Sequence, residues 1–158
     1  MQEILFKAKK IADNKWVEGL LHYNAAKCCH QIVEFVQHGP TMSEPAGNQF
    51  NLFHDILIST LCEYTGKVDG KGRRIFENDI YFEEIEEDKG DKRLFYICTW
   101  IKEAARFVWL SPNEYFLYNV SGLGNIDTEG MENTFSLEVD PRLHYKGPAI
   151  DNPKILEI

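Results

Sequence analysis

Apolar and polar residues alternate along much of the chain in short runs broken by Gly, Pro, Asn and Asp, a rhythm that predicts strands joined by turns. Ile4, Leu5, Phe6, Lys7 and Ala8 make the first expected strand, Asp13-Asn14-Lys15 a turn, and residues 15–22 the second strand. In residues 24–37, Ala25-Ala26-Lys27 suits a helix, but the alternation from Gln31 to Val36 favours a strand. Residues 39–48 hold two prolines and two glycines and predict a loop. Over residues 49–61, Phe50, Leu52, Phe53, Ile56, Leu57 and Leu61 fit neither the strand nor the helix period. Residues 66–72 read as a flexible turn, followed by Ile75-Phe76 and Ile80-Tyr81-Phe82. Residues 86–91 read as a hairpin tip between the latter run and a strand over 94–100, with another at 105–110. Glu114-Tyr115-Phe116-Leu117-Tyr118-Asn119-Val120 is expected to add one more strand, and residues 122–147 are turn-rich. The fold class expected is mainly β with minor α, with the serial aromatic strands curling into a small twisted barrel.

Composition narrows the picture. A chain of 158 residues predicts one domain, and area scaling lets such a chain bury about 69% of its unfolded surface. With 44% hydrophobic and 13% aromatic residues, a disordered chain is excluded. A net charge of −8 argues against a generally basic nucleic-acid or membrane binder. Lys7, Lys9 and Lys10 follow only three apolar residues, so no export leader is expected at the start of this sequence. No uncharged apolar run reaches the ~18 residues of a membrane helix. Cysteines at 28, 29, 62 and 98 then read as reduced thiols in a cytoplasmic protein.

The candidate chemistry is sparse. Cys28, Cys29 and His30, with His22 and His38, invite a metal reading. Zinc ligands, however, pair at spacings of two to four residues, and adjacent cysteines on a strand point to opposite faces. No metal or cofactor is expected. Gly66-Lys67-Val68-Asp69-Gly70-Lys71-Gly72 has glycines one residue too close for a P-loop, and Gly72 stands where a hydroxyl is needed. A turn explains its glycines better. Lys67, Lys71, Arg73 and Arg74 form a basic cluster that could meet phosphates, but a solvated turn is favoured. The acidic run Glu83-Glu84, Glu86-Glu87-Asp88 and Asp91 reads as a charged hairpin tip that protects a strand edge, because catalytic carboxylate pairs need burial to split their pKa values. Ser121-Gly122-Leu123-Gly124 lacks the glycine of a nucleophile elbow. No enzyme is expected. A hidden active site would need residues distant in sequence, such as His54, Asp79 and His144, to converge.

Residues 60–80 contain Tyr64-Thr65-Gly66-Lys67-Val68-Asp69-Gly70-Lys71-Gly72-Arg73-Arg74-Ile75-Phe76-Glu77-Asn78-Asp79-Ile80. This resembles the central signature of the YopX family, Gln-(Tyr/Phe)-Thr-Gly-Leu-x-Asp-x-Asn-Gly-x-x-Ile-(Tyr/Phe)-Glu-Gly-Asp-Ile. Ile4 to Ala8 with Trp16-Val17-Glu18-Gly19 is similar to the family's opening, and Asp151-Asn152-Pro153-Lys154-Ile155-Leu156 to its closing element. Glu63 replaces the usual Gln, Asn78 the usual Gly, and Gly70-Lys71-Gly72 the usual Asn-Gly. The resemblance implies a phage or prophage protein of mostly β structure, with an SH3-like barrel around residues 75–120 and no catalytic residues to carry over. It implies a single domain in three stretches: 1–62, with the 39–48 loop; 63–120, with the signature; and 121–158, packed on it. The motif residues expected to carry structure are Tyr64, Thr65, Gly66, Gly70, Gly72, Ile75, Phe76, Asp79, Ile80, Asn152 and Pro153. Tyr64 and Phe76 would anchor the turn, and Asp79 would accept its amides. The expected partner is a protein, a second copy of the chain included. Nucleic acid is disfavoured by the charge, and no membrane contact is expected.

Overall fold

The computed structural model describes residues 4–39, 47–87, 90–122 and 142–157. They form two compact units, Met1–Tyr64 and Thr65–Ile158. The described residues are mostly β, with two small helices among them. The expected loop 39–48, hairpin tip 86–91 and turn-rich stretch 122–147 lie partly outside the described residues.

The first unit holds β1 (Phe6–Lys10), β2 (Trp16–Asn24), β3 (Cys29–His38) and most of β4 (Asn48–Val68). All pair antiparallel, and β1 pairs with both β2 and β4, so the ladders make a partial ring. The turn before β2 uses Asn14 in the left-handed region (φ 58°), which Asn tolerates, with the Asp13 carboxylate accepting from Lys15 N–H at 3.1 Å. Ala8, Val17, Ile32 and Ile56 form the core. Gly19 sits where β2 presses on β3: a Cβ there would stand 2.1 Å from the Val33 carbonyl oxygen.

The second unit holds the end of β4, β5 (Arg74–Phe76), β6 (Asp79–Glu87), β7 (Gly90–Ile101), β8 (Arg106–Leu110), α1 (Pro112–Ser121), β9 (His144–Pro148), a 3-10 turn (Ala149–Asp151) and α2 (Pro153–Leu156). Strand order is β8-β7-β6-β9, all antiparallel, with no β8–β9 pairing among the described residues. The register puts Tyr81, Cys98, Phe107 and Trp109 on one face, where Ile75 and Tyr145 pack. Ile80, Ile97, Val108 and Leu110 lie on the other, under Tyr115 and Tyr118 of α1 and Ile155 and Leu156 of α2. Both faces are covered, which is why the run Phe107-Val108-Trp109-Leu110 is apolar throughout.

One expected strand is corrected. Residues 114–120 are helical, within α1. The helix starts at a capping box: the Ser111 hydroxyl accepts from Glu114 N–H at 3.4 Å, and the Glu114 carboxylate accepts from Ser111 N–H at 2.7 Å. Pro112 occupies the first turn, where its missing N–H costs nothing. These terminus signals outweigh the aromatic run that reads as a strand.

Candidate functional site

The signature turn is built on Asp69. Its Oδ1 accepts from the backbone N–H groups of Lys71 and Arg73, each at 2.9 Å, and its Oδ2 accepts from the Tyr81 hydroxyl at 3.0 Å. Asp69 N–H donates to Arg73 O and Gly72 N–H to Asp69 O. Gly66 (φ 80°) and Gly72 (φ 76°) supply the left-handed backbone at its two ends. Arg73 lies 4.3 Å from the centroid of the Tyr145 ring and 3.8 Å from Asp69 Oδ2. The Tyr145 hydroxyl reaches Asp79 Oδ1 at 3.4 Å, and Asp79 Oδ2 accepts Phe76 N–H at 2.9 Å.

Burial raises the Asp69 pKa, but the two amides, the Tyr81 hydroxyl and the Arg73 charge together outweigh it and hold the carboxyl below its usual value. Burial, then the Asp69 charge, pushes the Tyr81 phenol far above its usual range. Asp69 ionises more readily folded than unfolded, so it adds stability above its unfolded pKa near ~3.9, and this is lost as pH falls through the lower folded value. We expect Asp69→Asn to lower the thermal midpoint at neutral pH and to flatten its fall below pH ~4, measured by circular dichroism melts across pH. An acid limb as steep as that of the parent would refute this.

The remaining motif residues are placed as follows. The Thr65 hydroxyl donates to Ile75 O at 2.8 Å and accepts from Lys67 N–H at 3.2 Å. Tyr64 N–H donates to Leu5 O. Phe76 and Ile80 are buried, and a Cβ on Gly70 would meet open space. Asn78 takes φ 63°, donates N–H to Cys98 O at 2.7 Å, and accepts Ala149 N–H on its carbonyl and the Tyr115 hydroxyl on its side chain. Asn152 Nδ2 caps Pro148 O at 2.9 Å, and Pro153 opens α2. Of the basic cluster, Arg73 is committed to Tyr145 and Asp69, while Lys71 is exposed.

The other candidates do not converge. His54 Nε2 lies 2.9 Å from Glu34. His144 stacks on Phe82 at 5.3 Å, on the opposite side of β9 from Tyr145 and four register positions from the partner of Asp79. The exposed Cys28 takes φ 51°. Cys29 Sγ is 3.7 Å from Asp55, and its thiol pKa is raised by burial and then by that carboxylate. His22 and His30 lie against Phe53 and Tyr23, on opposite faces of the sheet. Among the described residues no group of three or more His, Cys, Asp or Glu is placed to hold a metal ion. No buried side-chain nitrogen or oxygen there lacks a partner. No helix among them is long and apolar enough to cross a membrane.

A second feature escaped the motif reading. The sheet of the first unit exposes large apolar side chains, foremost Phe35 (61%), Phe53 (54%) and Tyr23 (54%). Its sequence signal is the stretch 49–61 that fits neither period, because apolar residues occupy both faces.

No curated protein matches the chain. A solved structure, protein EF1440 from Enterococcus faecalis, is similar over 99% of this chain and 99% of its own, with a TM-score of 0.53 and 14% identity. At that identity the likeness is one of fold. The family model described as YopX protein matches residues 5–132, a span that includes the Asp69 turn and β1 to β8 but not β9, and the chain therefore belongs to the YopX family.

Proposed function

We propose that the protein is a phage- or prophage-derived accessory factor of the bacterial cytoplasm that works by contacting protein rather than by catalysis. The observation that carries this reading is the apolar surface of the first unit, with Phe35 and Phe53 more than half exposed on one sheet face. Contiguous exposed apolar surface of this kind marks interaction sites. The chemistry of the signature supports it too: Asp69, Arg73, Tyr81 and Asp79 are engaged with one another and with the backbone, so their role is to hold a turn. Binding of nucleic acid through the 67–74 turn is disfavoured, because Arg73 already faces Tyr145 and Asp69.

The test uses the full chain as bait in phage-bearing bacterial cells, beside Phe53→Glu. The wild type is expected to retain a protein in stoichiometric amount, whether host, phage or its own copy, and the variant to lose it. Recovery of nucleic acid alone, or equal recovery by both baits, sinks the proposal.

A further inference from the structure

We draw no further inference here: the strongest candidate, the apolar face of the β3–β4 hairpin on which Phe35 and Phe53 lie open, belongs to the protein-contact surface already described, and nothing in the structure shows what covers it.

Discussion

Gly19→Ala is expected to lower the thermal midpoint of the chain by about 10 °C or more, since a loss of about 3 kcal/mol has that effect in a small unit. The added methyl would stand 2.1 Å from the Val33 carbonyl oxygen, 2.8 Å from its carbon and 3.0 Å from Ile32 Cγ2. A flexible side chain could yield to such a contact, but two of these three atoms are backbone. Relief requires β2 to move away from β3 next to Val17 and Ile32, both buried in the core of the first unit. That movement would open the ladder that begins at Leu20 and Val33. Melts followed by circular dichroism measure the effect, with Gly39→Ala as control, because a Cβ at Gly39 meets nothing within 4 Å. A Gly19→Ala protein that melts with the parent would show that the strands do not approach as closely as described.

Asp79→Ala is expected to destabilise the second unit by about 3 kcal/mol, measured by urea unfolding. Asp79 is 1% exposed. Its removal strands the Phe76 N–H, which it accepts at 2.9 Å, and takes away the acceptor of the Tyr145 hydroxyl. A buried donor left without a partner costs about 1–3 kcal/mol, and hydrogen bonds to charged groups lie in the upper part of that range. Asp79→Asn keeps an acceptor oxygen of the same shape and is expected to lose about half as much. Equal losses for the two variants would mean that the charge matters and the amide contact does not. No loss in Asp79→Ala would remove Asp79 as the support of the turn.

How much could be read beforehand differs by element, for physical reasons. The strands of residues 6–38 and 79–110 were legible because their alternation is bracketed by turn residues such as Asn14. Residues 114–120 were misread because Tyr115, Phe116 and Tyr118 suit a strand locally. The capping box Ser111–Glu114 and Pro112 were there to be read three residues earlier. β9 was not legible. His144-Tyr145-Lys146-Gly147-Pro148 has little strand character of its own, and it is held by pairing with β6 and by the Tyr145 ring between Arg73 and Tyr81. The role of Gly19 was equally hidden, since a close approach of two strands leaves no trace in either one. The motif residues were visible, but their wiring was not: that Asp69 serves Tyr81, and that Asn78 joins Cys98, Tyr115 and Ala149, depends on tertiary placement.

The Tyr145–Asp79 contact spans 66 residues, whereas β6, β7 and β8 follow one another through short connections. Closing so long a loop forfeits chain entropy before any contact repays it, so the three-strand meander should assemble first and β9 last. During synthesis the outer edge of β6 therefore stays uncovered until the closing residues emerge, and truncation before His144 would leave that edge permanently open to other chains.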